Sequence, residues 1–548
     1  MGESNKREGC TSSNLRPLLP PGPKPFPYIG CLITMLRNKP TFQWIHRMMD
    51  DMNTNILCVR LGNVHVIVVS DPKIACEFLK DKDRMFSSRP DCVSGYLTSG
   101  GYLNASLAPM GDHWKKMRKV LATDILSMAR HEWLQNKRDK EVNNLLRYGK
   151  ICKLNYLLYV FDVFLIRHVF KLTIIPFHFL TKLSQCMYLL GTFTLNARPG
   201  VVSGRVVNVR VIVQQHSINI IRKIIFGSRY FGKGDAYGGH GQEVVEHFDS
   251  LSTIAGHVYA FCVTDYFPWL GWITDFDGHE RNLKNALCIA KKYLDPLVDE
   301  RIQQWNNDIK TKEDDLLDVF INLQNPRLSV DQIKAQILDF FLATFDNIPN
   351  NIEWTLAEMI SNPRILEKAV HEIDSLVGKD HRLVQETDLV HLRYIKSCVR
   401  EAFRLHPVAP FNLPHVASED TIAAGYFIPK GSHVLLSRPG LGRNAKVWND
   451  PLTFNPDRHI NGQNEVVLTD HDLNMLSFST GRRGCPGVLL GTTITVMLMA
   501  RLVQGFTWEL PPNEPHVDLK ENMHNLWKAK PLLALAKPRL PHHLYPTC

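Results

Sequence analysis

Along residues 56–70 apolar and polar positions alternate, ILCVRLGNVHVIVVS, around Gly62 and Asn63, which is the pattern of two strands joined by a tight turn. The following stretch, DPKIACEFLKD, changes to helical spacing, with Asp71 placed to cap its first turn. Over residues 114–133, and from 247 through 354 and beyond, apolar residues recur every three or four positions. These periods predict a mainly helical fold with small sheets. One long apolar run, AQILDFFLATFDNIPNNIEWTLAEMI, breaks its own rule: Pro349 stands in its middle with Asn347, Asn350 and Asn351 around it. A proline inside a helix loses a backbone bond and clashes with the preceding turn, at a cost of about 3 kcal/mol. Either the helix ends there or the break has a use.

Two segments depart from the pattern. Residues 1–18 are polar, carry no apolar run able to cross a membrane, and lead into a proline-rich hinge at residues 19–30, LPPGPKPFPYIG. Residues 151–203 are apolar all round: Phe, Leu, Ile, Val, Tyr and Met dominate, and Asp162 is the only acid between residues 151 and 200. The longest uncharged run there is too short and too diluted for a membrane span, and there is no polar face for a surface helix. A T-rich intron read in frame gives this composition, so a retained intron is the expectation. Residues 31–150 and 204–548 then form a single domain.

Composition narrows the class. With 548 residues, 44% of them apolar and 22% charged, the chain can bury a large core. The twelve cysteines include no CxxC pair, which argues against a disulfide framework or zinc ribbon and for a reducing compartment. The formal charge of +10 fits an acidic partner or an anionic membrane face; no aromatic-interleaved basic motif points to nucleic acid.

The chemistry-bearing stretch is FSTGRRGCPG, residues 478–487, followed by the helical pattern VLLGTTITVMLMARLV. A cysteine at a helix start beside Arg482 and Arg483 should ionise readily, as a metal ligand or a nucleophile. Gly481 and Gly487 would permit a tight turn and the approach of something flat, and Arg483 could pair with a carboxylate.

Phe478, Gly481, Arg483, Cys485 and Gly487 resemble the signature loop of the cytochrome P450 superfamily. Glu401 and Arg404 match its Glu-x-x-Arg helix, Arg458 the arginine that completes its triad, and Trp114 and Arg118 its Trp-x-x-x-Arg helix, while His415 occupies a position where relatives contact a haem propionate. The resemblance implies a haem-thiolate monooxygenase fold, with haem b (iron protoporphyrin IX) between the long central helix and the cysteine-loop helix. It makes Cys485 the axial iron ligand and Glu401, Arg404 and Arg458 a structural brace. Electrons would come from NADPH through NADPH-cytochrome P450 reductase, which Lys115, Lys116 and Lys119 could help to dock.

Stretches such as YAFCVTDYFPWL and GYFIPKGSHVLLSRPGLGRNAKVWNDPLTFNPDRH are similar to the plant microsomal amino-acid N-monooxygenases, which make aldoximes that lead to specialised metabolites. That likeness implies an amino acid and O2 as substrates, aromatic side chains such as tyrosine or phenylalanine being favoured. It also implies residence at the cytosolic face of the endoplasmic reticulum membrane, although the anchor is missing, so that a soluble or peripheral state is also open. Asp346 and Asn347 would be the catalytic pair, where most P450s have an acid followed by threonine; the proline stands one residue later than in that family. Substrate contacts are expected from residues 89–106, from Phe340, Phe341 and Phe345, from residues 408–412, and around Asn525. Alternatives are a carbon-hydroxylating enzyme, a donor-independent isomerase or dehydratase, and a product inactivated by the insertion.

Overall fold

The computed structural model describes residues 18–151, 205–230, 242–267, 275, 278–460, 462, 464–512 and 514–545. The polar N-terminus up to residue 17 and nearly all of the apolar segment lie outside them.

The alternating stretch forms strands β1 (Ile56–Leu61) and β2 (Val64–Val69), paired antiparallel from Ile56 opposite Val69 to Leu61 opposite Val64. Gly62, at φ 57°, makes the turn. Asp71 caps the next helix as expected, accepting from the amides of Lys73 and Ile74. β2 then pairs in parallel with a strand far along the chain, β7 (His433–Leu436), whose other edge takes β4 (His415–Val416). Between them β5 (Thr421–Ala423) and β6 (Tyr426–Ile428) form a separate hairpin. β3 (Arg205–Asn208), β9 (Leu533–Pro538) and β8 (Phe506–Glu509) make a third small sheet.

Helices dominate. The longer ones are α1 (Thr41–Asp51), α2 (Asp112–Val120), α3 (Gln135–Ile151), α4 (Val209–Phe226), α5 (Gln242–His257), α6 (His279–Asn306), α7 (Val330–Phe345), α8 (Asn347–Ser361), α9 (Pro363–Val377), α10 (Arg393–Leu405) and α11 (Val488–Gly505). The expected helix over residues 114–133 is interrupted. α2 ends at Val120, a π turn spans Leu121–Ile125, and Ser127 caps a fresh helix, Met128–Trp133, by accepting from the Arg130 amide.

α7 and α8 are the two halves of the long apolar run. Ser329 and Gln332 form a capping box at the start of α7. The break falls at Asp346, so Pro349 lies in the first turn of α8, where backbone N–H groups have no partner within the helix to lose. α4 packs on α3, α7 and α8, and α11 packs on α3, α8, α9 and α10. Val488–Gly505 is long and apolar enough to cross a membrane, but nearly three quarters of it is buried inside the protein, which makes it a core helix behind the cysteine loop.

Candidate active site

Cys485 sits at the entry to α11. Its amide donates to the Phe478 carbonyl at 2.9 Å, and the Gly484 amide to the Gly481 carbonyl at 3.0 Å. Gly481 has φ 70°, and a Cβ there would lie 2.4 Å from the Leu79 carbonyl oxygen, so the residue type is required. Gly487 differs from expectation: its φ of −93° is open to any residue, and a Cβ would stand 3.8 Å from the Cys485 Sγ, so glycine there keeps space beside the sulfur. The Phe478 ring meets Phe403 of α10 edge-on, 5.7 Å between centroids, and ties the loop to the neighbouring helix.

Ready ionisation of Cys485 is corrected by its surroundings. Although part of its surface is accessible, the protein packed around the thiol desolvates it and raises it above its ordinary value. The Gly487 amide, Arg118 and Arg438 pull the other way without overcoming it. Arg482 takes no part, because its amide and guanidinium both bind Asp83 at the surface. A thiol held protonated is a poor free nucleophile, whereas a metal ion would deprotonate it outright, so these surroundings suit a ligand better than a nucleophile.

Arg483 is buried. Its Nε donates to the Ser87 carbonyl at 2.6 Å and a terminal nitrogen to that of Ala108 at 2.8 Å. Its guanidinium lies 4.5 Å from the centre of the Trp114 ring. Burial, with Arg89 and Arg118 nearby, lowers its pKa to about 8. Arg118, one turn after Trp114, and Arg438, just past β7, also act on Cys485 by charge. Arg438 Nε is buried with no hydrogen-bond partner, and no carboxylate pairs with either guanidinium among the described residues. Arg438 escaped the sequence reading; its signal was a cation directly after a buried strand, VLLSR. His415 stands apart. Its ring meets the Phe86 carbonyl at 2.7 Å, which places the proton on Nδ1, and burial holds the ring neutral, leaving Nε2 an acceptor.

Behind the loop, Glu401 on α10 has no exposed side-chain surface. Arg404 forks onto it at 2.8 and 2.7 Å, and Arg458 Nε reaches it at 3.0 Å. His459, which the sequence did not suggest, donates from Nε2 at 2.7 Å, its Nδ1 accepting from Arg400. Burial alone would raise the Glu401 pKa, but Arg404 and His459 outweigh it and hold it at about 2. Arg404 also binds the carbonyls of Gly442, Pro451 and Thr453.

At the helix break, Asp346 Oδ1 is buried with no partner, and desolvation pushes its pKa up to about 8. Asn347 turns its amide back to the Ala343 carbonyl at 2.8 Å, bracing the kink. The break is thus a neutral carboxylic acid held beside an opened helix.

The expected substrate contacts divide. Phe341 packs on Phe226 and His247, Phe345 on Phe248 and Phe340 on Phe320, so all three brace helix against helix. Asn525 caps an exposed turn by accepting from Trp527. Within residues 408–412, Asn412 accepts from the Leu436 amide and leaves its buried Nδ2 without a partner. Within residues 89–106, Ser106 reaches α7 by donating to Asp339.

The comparisons agree with this geometry. The family model described as cytochrome P450 matches residues 20–150 and 194–536. The chain belongs to the cytochrome P450 family. This P450 is 46% identical to valine N-monooxygenase 2 of Manihot esculenta over 96% of the chain and 89% of that protein. It is 46% identical to tyrosine N-monooxygenase of Sorghum bicolor over 97% and 88%, and 45% identical to phenylalanine N-monooxygenase of Arabidopsis thaliana over 100% and 96%. A zebra fish cytochrome P450 solved with abiraterone shares the fold, with a TM-score of 0.67 at 19% identity over 91% of this chain and all of that one.

The residues present fit a haem. Its two propionates would supply the anions that Arg118 and the unpaired Arg438 Nε lack, and Cys485 would be available as the iron ligand. Replacing Arg438 with leucine is expected to weaken haem retention roughly 10-fold, the value of one charge-assisted hydrogen bond. Haem transfer to apomyoglobin measures this, and Arg482→Leu should leave the rate unchanged.

Proposed function

We propose that this P450 N-hydroxylates an amino acid twice and releases an aldoxime. The observation that carries the reading is the likeness to N-monooxygenases named for valine, tyrosine and phenylalanine, across nearly the whole chain. Each round would use one O2, two electrons and two protons, forming one N–O bond and one water; loss of water and carbon dioxide then gives the oxime. An aromatic amino acid is our preferred substrate.

Cys485 would hold the iron, with Trp114, Arg118, Arg438 and Arg483 grouped about the propionates; His415 joins them only as imidazolium. The haem, when bound, supplies the oxidising chemistry. Asp346 holds a proton on a desolvated carboxyl at neutral pH and can release it at the helix break. Asn347 keeps the kink open by occupying the Ala343 carbonyl. Electrons are assigned to NADPH through NADPH-cytochrome P450 reductase, docking near the exposed Lys115 and Lys119. Lys116 is tied to Gln332 at the start of α7. The hinge exposes Leu19, Phe26 and Tyr28, with Leu18 just before it, a surface suited to resting on the endoplasmic reticulum membrane.

The test is incubation of the haem-loaded enzyme with reductase, NADPH and each of the twenty amino acids, with aldoximes as the readout. Formation of an aldoxime from one or a few supports the reading, and electron consumption with none formed overturns it.

We also propose that residues 151–203 are not needed for the fold. α3 ends at Ile151, and β3 takes up the structure at Arg205, paired with β9. Deleting residues 152–203 is expected to preserve or raise the melting temperature and haem content; a chain that then fails to bind haem would show the segment to be structural. Sequencing the transcript decides separately whether it is intron.

A further inference from the structure

Asp339 lies seven residues before Asp346, two helical turns along the same face of the α7–α8 rod. Its side chain is nearly buried, and its Oδ2 accepts from Ser106 Oγ at 2.8 Å and from Gln336 Nε2 at 3.0 Å. Gln336 in turn accepts from the Ala105 amide. These donors are all neutral, and no ion pair to Asp339 forms among the described residues. The cation on its loop side, Arg89, is committed elsewhere: it binds the carbonyls of Ser106, Leu413 and Pro414. Sharing a face with Asp346 and meeting the loop at Ser106, the carboxylate stands where that loop closes on the helix leading to the break. Arg89 acts on it by charge from a distance but forms no ion pair with it; a carboxylate kept from water without a paired cation is costly to maintain, and an ammonium group would pair with it.

We propose that Asp339 anchors the α-amino group of the amino-acid substrate and so presents nitrogen, rather than a side-chain carbon, for oxidation. This rests on the functional reading above and names the group that makes it selective for nitrogen. Asp339 is then a positioning residue: it binds the amine while Ser106 and Gln336 fix the carboxylate in place. Tying the loop at residues 105–106 to α7 is its second job, and the two can be separated.

The experiment is calorimetric titration of the haem-loaded enzyme with L-tyrosine, L-phenylalanine, L-tryptophan and L-valine, each against the same acid without its amino group. The parent enzyme should bind at least one amino acid about 10- to 100-fold more tightly than its deamino partner, as a charged hydrogen bond provides. Asp339→Asn should erase that ratio and leave deamino binding within twofold. Ser106→Ala removes the loop contact and keeps the charge, so it should retain the ratio. Preservation of the ratio in Asp339→Asn, or its collapse in Ser106→Ala, overturns the proposal alone. If the parent binds none of the four, the titration is repeated with the other sixteen, and a parent that binds none of the twenty overturns the functional reading with it.

Discussion

Glu401→Gln should yield a protein that unfolds well below the parent's melting temperature and holds little haem. The carboxylate is fully buried and receives Arg404, Arg458, His459 and the Asn455 amide, so glutamine leaves two guanidiniums without their counter-charge. Removing one partner of a buried ionic network costs about 3–5 kcal/mol, a large share of ordinary domain stability. The damage reaches the cysteine loop by two routes. Arg404 holds the carbonyls of Gly442, Pro451 and Thr453, and Phe403, next to it on α10, supports Phe478. A thermal melt with haem absorbance measures both effects. The parent also carries a pH signature. The folded pKa of Glu401, about 2, lies below its ordinary 4.5, so its contribution of about 3 kcal/mol is present above pH 4.5 and lost as pH falls toward 2. Glu401→Gln should show a flatter acid limb.

Asp346→Asn should lower aldoxime formation about 100- to 10,000-fold, the range for loss of a positioned proton donor, while the fold survives. Asparagine matches the neutral acid in shape and cannot release a proton. Because the parent carboxyl titrates near 8, its turnover should fall as pH rises through 8, and the variant's residual rate should be flat there. The parent's stability also falls as pH rises. A folded pKa raised above the ordinary 3.8 favours folding most below that value and loses the advantage as pH climbs to about 8. The variant should therefore gain on the parent in melting temperature as pH rises from about 4 to about 8. Unchanged turnover in Asp346→Asn would remove this residue from the mechanism.

Short-range spacing carried what it could. The hairpin at residues 56–70, the Asp71 cap, the loop around Cys485, the Glu401–Arg404 pair and the helix break at Asp346 were legible because each is set by neighbours within a few positions. What escaped depended on contacts between distant segments. His459 follows Arg458 directly, yet only the folded chain turns it onto Glu401. Arg438 reads as one residue of a turn until β7 carries it to Cys485. Phe340, Phe341 and Phe345 were read as pocket walls because aromatic residues look alike whether they face a ligand or another helix. Arg482 and Arg483 are adjacent in sequence, but one turns out to Asp83 and the other turns in to Trp114. The substrate side was least legible, since a carboxylate such as Asp339 announces itself only when Ser106 is seen against it.

The parallel pairing of β2 with β7 has a consequence for how the protein is made. The hairpin is complete by Val69, but the strand that covers its open edge begins about 360 residues later, at His433. At synthesis rates of about 5–20 residues per second, β2 waits roughly 20–70 s with its edge exposed. Unpaired edges recruit other chains. Any stretch inserted between these strands lengthens that interval, so the burden of residues 151–203 falls on the growing chain, at the ribosome, before the active site exists.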